Sequence, residues 1–247
     1  MPSMLAFLVA VLLLGGQAAP EVLPRSAWGA RPADAAALQA MGPVRHLTVH
    51  HTAVPRLRGD GSPEAELRAI QRGHQEQGWG DIAYHFLIAP DGRVFAGRDP
   101  AFAAASGTRY LAEAQWRASP VVTPDLRDPD PARNRAVGGT LGAGEEATGP
   151  RPGRVAGHLT VCLLGDFSDA EPTPAARRTL VALAAHLLQR HGLGAGDLWV
   201  HREVAASACP GDRLYAWLRS YPQGPRYAPG PVTDEIARRL EGLRATR

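Results

Sequence analysis

The chain has 247 residues, enough to bury one good core, and nothing in its composition suggests a second full domain. All 27 basic residues are arginine; against 24 acidic residues they leave a net charge of +3, a mild excess that slightly favours an anionic polymer. No basic cluster reaches the density of a nucleic-acid site, so that function class is set aside.

Residues 1 to 19 run through an apolar stretch, Leu5 to Leu14, and end in Gln17-Ala18-Ala19, a small-residue site suited to signal peptidase. A cleaved leader is expected, because the stretch is short for a membrane span. An uncleaved anchor is its rival, since no basic residue precedes the apolar run. Arg45 to His51 alternates as a strand does, which sends His50 and His51 to opposite faces. Ser62-Pro63-Glu64 offers an N-cap and a proline at the first helical position, and Leu67, Ile70 and His74 follow at helical spacing until Gly78. Tyr84 to Ala89 and Arg93 to Ala96 flank Pro90-Asp91-Gly92 as a hairpin, with Tyr84 and His85 on opposite sides and His85 expected to be structural.

Residues 99 to 154, rich in proline and glycine, are much longer than an ordinary connection and read as an insertion, either a substrate-groove wall or a solvated loop. Within it, Leu111 to Trp116 suits a short helical piece, and Arg127 to Gly149 reads as mobile. Val155 to Leu164 reads as one buried strand with Cys162 as a small apolar filler. Thr173-Pro174 caps a second helix carrying Leu180, Leu183, Leu187 and His191 on one stripe, ended by Gly192. Leu198 to Val200 is a short apolar strand with His201 at its end, and Cys209 sits on a turn marked by Pro210-Gly211. Asp212 to Tyr221 predicts a third helix with Leu214, Trp217 and Leu218 inward; Thr233 to Arg247, with Ile236, Leu240 and Leu243 on one face, predicts a terminal amphipathic helix. This order implies an α/β fold: a single domain with a central mixed β-sheet flanked by helices.

His50, His201 and Cys209 together could close around one zinc ion. Three protein ligands leave the fourth tetrahedral position open to water, which separates a catalytic zinc from a structural one. Each residue has a plainer alternative. A lone strand histidine is more often hydrogen-bonded structure, and Cys209 could be an inert thiol or pair with Cys162 in a disulfide. Spacing alone does not choose.

At these residues the sequence resembles the zinc amidases of the peptidoglycan recognition protein family and the related bacteriophage amidases. The resemblance spans most of residues 22 to 222. It rests on Pro24-Arg25-Ser26-Ala27-Trp28-Gly29-Ala30-Arg31, Val49-His50-His51-Thr52, Gly78-Trp79-Gly80-Asp81-Ile82-Ala83-Tyr84-His85-Phe86-Leu87-Ile88, Asp91-Gly92 with Gly97-Arg98, Cys162-Leu163-Leu164-Gly165-Asp166-Phe167, and His201-Arg202-Glu203 followed by Cys209-Pro210-Gly211. It implies that His50, His201 and Cys209 are zinc ligands in a surface groove, and that Tyr84 is the catalytic tyrosine. The implied reaction is hydrolysis of the amide joining N-acetylmuramic acid to L-alanine of peptidoglycan. Members that only bind peptidoglycan commonly lack the cysteine, which this chain keeps. Relatives often carry lysine or threonine where this chain has Ser207, which brings a neutral donor and no positive charge. Glu203 is an outside candidate for general base, against a solvated or ion-paired surface role. The alternative function is a module that binds muropeptides without cutting them. A secreted or periplasmic monomer is expected, with peptidoglycan or muropeptide as its partner.

Overall fold

The computed structural model describes residues 19–54, 57, 61–106, 153–205, 207–219 and 231–245. All but the last residue of the expected leader, and the expected pieces at 111–116 and 127–149, lie outside them.

Six strands form the main sheet: β1 Val22–Leu23, β2 His46–His51, β3 Phe86–Ile88, β4 Val94–Ala96, β7 His158–Leu163 and β8 Leu198–Val200, in the order β1-β4-β3-β7-β2-β8. β3, β7, β2 and β8 are mutually parallel, while β4 runs antiparallel to β3, so the sheet is mixed. A separate antiparallel pair joins β5 Ala104–Ser106 to β6 Gly153–Val155. The expected strand from Val155 to Leu164 is therefore two strands in two sheets. Gly157, at φ +82°, turns the chain between them, a conformation that favours glycine.

Alternation sorts the central strands. Leu47, Val49, Leu159, Val161 and Leu163 face a core built with helix α2, Pro174–Arg190, through Leu180, Leu183, Ala184, Leu187 and Leu188. Helix α4, Asp212–Arg219, adds Leu214 and Leu218, and helix α5, Pro231–Ala245, adds Val232, Ile236 and Leu240. The terminal amphipathic helix thus closes the core on this side, with Leu243 packed at its margin. On the opposite face, helix α1, Pro63–Glu76, sets Leu67 and Ile70 against Trp28, Ile82, Leu87, Phe95 and Cys162. Cys162 is the apolar filler expected of it. Helices α1 and α2 start as their sequences predict. The Ser62 hydroxyl accepts from the Ala65 N–H at 3.2 Å and the Thr173 hydroxyl from the Ala176 N–H at 3.1 Å, each followed by proline at the first position.

The face that carries Cys162 also carries Thr48, His50, His158 and Thr160, all buried. Among the described residues no helix is long and apolar enough to cross a membrane.

Candidate metal centre

β2 and β8 are parallel neighbours, and the site forms where they end, as ligand sites commonly do at the carboxyl ends of parallel strands. His50 is the penultimate residue of β2, and His201 follows the last residue of β8. Regular pleating sends His51 to the other face, where its ring lies beside Phe167 at 6.2 Å.

His201 opens a single helical turn, α3, His201–Val204. Its start is fixed by the buried Glu203 carboxylate, which accepts from the Val200 N–H at 2.9 Å. The same carboxylate accepts two bonds of 2.7 Å from Arg219 and one of 3.3 Å from the Tyr215 hydroxyl. Glu203 is therefore no surface group, and its oxygens are committed to structure; the reading of it as a general base fails. Glu203→Ala should cost about 3–5 kcal/mol, because Arg219 would lose its buried counter-charge. Urea denaturation measures this, and a loss below about 1 kcal/mol would contradict it.

Cys209 is brought back to the strand ends by the turn that follows α3. Arg202 donates to Asp212 at 2.7 Å and to the Ala208 carbonyl, and its N–H bonds the Cys209 carbonyl at 3.0 Å. At Gly211, φ is +89° and a Cβ would lie 2.3 Å from the Phe167 carbonyl carbon, so the turn can approach the β7 loop only with glycine there. The Cys209 Sγ accepts from the His51 N–H at 3.3 Å and lies 3.7 Å from His50 Nδ1. Cys162 and Cys209 are both free thiols, which removes the disulfide alternative.

One ligand atom from each of His50, His201 and Cys209 falls within 4.8 Å of the others. Two donors on a tetrahedral zinc, at ~2.0 Å for nitrogen and ~2.3 Å for sulfur, stand ~3.6 Å apart, which matches the sulfur–His50 spacing. The imidazole rings of His50 and His201 lie 4.5 Å apart. Burial is the main cause that holds both neutral: His50 is well below the usual histidine range and His201 is at about 3, and neighbouring histidines add to the shift in each. Neutral imidazoles offer lone pairs. Burial pushes the Cys209 thiol up to about 12, opposed by the His51 N–H and by Arg202; a dication would invert that preference. The donor set suits zinc.

Tyr84 does not lie in a strand as expected. It occupies an irregular segment before β3, and its ring stands 5.3 Å from that of His50. The Tyr84 carbonyl accepts from the Arg98 N–H at 2.8 Å. The buried Arg98 guanidinium in turn bonds the carbonyls of Trp79, Asp81, Ile82 and Ala103 at 2.8–3.1 Å, gathering the loop around itself. A Cβ at Gly97 would come within 2.2 Å of the Tyr84 oxygen. Gly97-Arg98 thus shapes the segment that carries Tyr84, a role the sequence motif alone does not reveal. Ser207, half-buried, accepts from the Cys209 N–H at 3.1 Å, which leaves its O–H to donate.

His85 is structural, as expected. Its Nδ1 accepts from the Thr160 N–H at 2.9 Å, and its Nε2 bonds the Phe102 carbonyl at 2.9 Å. Burial lowers its pKa to about 4, with Arg98 in the same direction and the Phe102 bond and Asp99 opposed; burial also lowers His158 to about 3, with His46 and His201 adding. A folded pKa below the unfolded ~6.5 gives stability that is complete above pH ~6.5 and declines as pH falls toward those values. Each histidine should cost about 1.4 kcal/mol per pH unit across that window. A urea midpoint unchanged between about pH 7 and about pH 5 would contradict this.

A family model described as N-acetylmuramoyl-L-alanine amidase matches residues 40–212. The N-acetylmuramoyl-L-alanine amidase of Homo sapiens is 30% identical over 208 residues, covering 82% of this chain and 28% of the human protein. Peptidoglycan recognition protein 1 of Mus musculus is 27% identical over 202 residues, covering 81% of this chain and 87% of its own length. This chain therefore spans less than a third of the human amidase and nearly all of the mouse recognition protein. Among solved structures, Drosophila peptidoglycan recognition protein SD superposes with a TM-score of 0.57 at 22% identity, over 84% of this chain and 98% of its own. Peptidoglycan recognition protein LE, solved in complex with tracheal cytotoxin, a monomeric diaminopimelic acid-type peptidoglycan, gives 0.55 at 21% identity, over 81% and 94%. At those identities the structural likeness is one of fold.

Proposed function

Because the chain belongs to the N-acetylmuramoyl-L-alanine amidase family, we propose that it is a zinc-dependent amidase. In this reading it hydrolyses the amide between the lactyl group of N-acetylmuramic acid and L-alanine of the peptidoglycan stem peptide. The observation that carries the reading is the convergence of His50, His201 and Cys209, a three-donor set with a retained thiol.

His50, His201 and Cys209 would hold the zinc, which when bound supplies a Lewis acid for the carbonyl and acidifies water toward neutral pH. The remaining work falls to the chain. Tyr84, held from behind by Arg98, presents its ring beside His50, and its hydroxyl, within hydrogen-bond reach of the Cys162 thiol, would donate to the oxygen on which negative charge develops. Ser207 can add a second, neutral donor from the turn, since its oxygen accepts from the Cys209 N–H and its O–H is a separate donor. Burial of both histidines keeps each imidazole unprotonated and would keep water from their side of a bound metal. Such a substrate lies outside the cytoplasmic membrane, consistent with a secreted or periplasmic protein whose residues 1–19 serve as leader.

The test is incubation of the purified, zinc-loaded protein with isolated peptidoglycan. Release of stem peptides with a free L-alanine amino group is the expected result. Binding without release would assign the protein to muropeptide recognition instead. With Ser207→Ala, turnover should fall by less than about tenfold at full zinc occupancy if the metal carries most of the oxyanion stabilisation, while Ser207→Lys should raise it by placing a cation near the developing charge. Abolition of cleavage by the alanine variant with zinc still bound would make Ser207 essential.

A further inference from the structure

We propose that Ser106 is a positioning residue that sets the tautomer and ring orientation of His201. The proposal rests on the reading of His201 as a zinc ligand. Ser106 is the last residue of β5, 95 positions away in sequence, yet its buried Oγ lies 3.3 Å from His201 Nε2. An imidazole that binds a metal through one nitrogen carries its hydrogen on the other, and the partner of that N–H decides which nitrogen keeps the lone pair. With Nε2–H donating to the Ser106 hydroxyl, Nδ1 is left as the donor nitrogen of His201.

The hydroxyl is well placed to do this because the chain leading into β5 is anchored residue by residue. The Phe102 carbonyl accepts from His85 Nε2 at 2.9 Å, the Ala103 N–H donates to the Gln39 carbonyl at 2.7 Å, and the Ala103 carbonyl accepts from Arg98 at 3.1 Å. Ala104 and Ala105 are buried and small, which lets the strand lie close against its surroundings. The same Arg98 that gathers the Tyr84 loop therefore also secures the strand that reaches His201. A serine on such a fixed element loses little further freedom when it accepts the bond, and the ring gains a defined orientation.

Histidine side-chain nitrogen NMR on the metal-free protein, together with zinc titration in competition with a chelator, tests the proposal. Wild-type His201 should be in the Nε2–H tautomer. Ser106→Ala should mix the two tautomers and weaken zinc binding about 10–100-fold while leaving the thermal midpoint nearly unchanged, and Ser106→Thr should restore both readouts. A wild-type His201 protonated on Nδ1, or an alanine variant with wild-type zinc affinity, would overturn it. A wild-type protein that takes up no zinc refutes the metal reading itself; the tautomer measurement on the metal-free protein then still decides whether Ser106 orients the ring.

Discussion

Cys209→Ser should leave a folded protein that has lost most of its zinc and, with it, amidase activity. A neutral hydroxyl is a poor substitute for a thiolate, which supplies both negative charge and a soft donor. The loss should exceed the roughly 10–100-fold typical of removing an outer partner of a metal ligand. The fold should survive, because serine still offers the His51 N–H an acceptor and the turn is held independently by the contacts of Arg202. Elemental analysis beside a peptidoglycan cleavage assay and a thermal melt reads all three consequences. A zinc-free wild-type protein that still digests peptidoglycan would refute the metal assignment.

Tyr84→Phe is expected to keep zinc and fold while slowing cleavage about a hundredfold. The substitution removes one hydroxyl and leaves the ring, so the tilted contact with His50 and the edge-on contact with His74, at 5.3 and 5.9 Å, remain available. Removal of one preorganised donor to a developing oxyanion costs on the order of 3 kcal/mol, or about a hundredfold in rate. Single-turnover measurement with saturating substrate isolates that step from binding. Near-normal turnover at full zinc occupancy would exclude Tyr84 from the chemistry.

The two variants separate two kinds of dependence. On the proposed reading Cys209 would hold the metal, so its loss should appear in metal content first. Tyr84 would act only once metal and substrate are in place, so its loss should appear in rate alone. If both lost zinc equally, the division of labour between the turn and the irregular segment before β3 would be wrong.

Much of this was legible in the amino-acid sequence, because it depends on local physics. Ser62-Pro63 and Thr173-Pro174 announce helix starts through bonds that span three residues. The period-two pattern of β2 places His50 on one face and His51 on the other wherever the strand is packed. The stripe of Ile236, Leu240 and Leu243 shows a helix needing a core, although not which core. Where the sequence misled, a longer-range contact overrode the local pattern. Val155 to Leu164 looks continuous by composition, but Gly157 permits a left-handed turn that sends β6 to pair with β5. Glu203 looks like a surface carboxylate, since nothing nearby in sequence shows that Arg219 and Tyr215 will bury it.

The sequence by itself thus determined helices α1, α2, α4 and α5, the alternation of the central strands and the residue types able to bind zinc. The first two follow from propensity, capping or periodicity within a few positions of the chain, and the third from the chemistry of imidazole and thiolate side chains. Only the tertiary structure decided that His50, His201 and Cys209 share one point in space, that Cys162 stays a free core thiol, and that Arg98 and Ser106 shape the site from behind. Those outcomes depend on strand order and loop closure, which join groups as far as 159 residues apart. Contacts at such separation leave no periodic trace, because they are selected by the packing of the whole sheet and its two covered faces rather than by any neighbour along the chain.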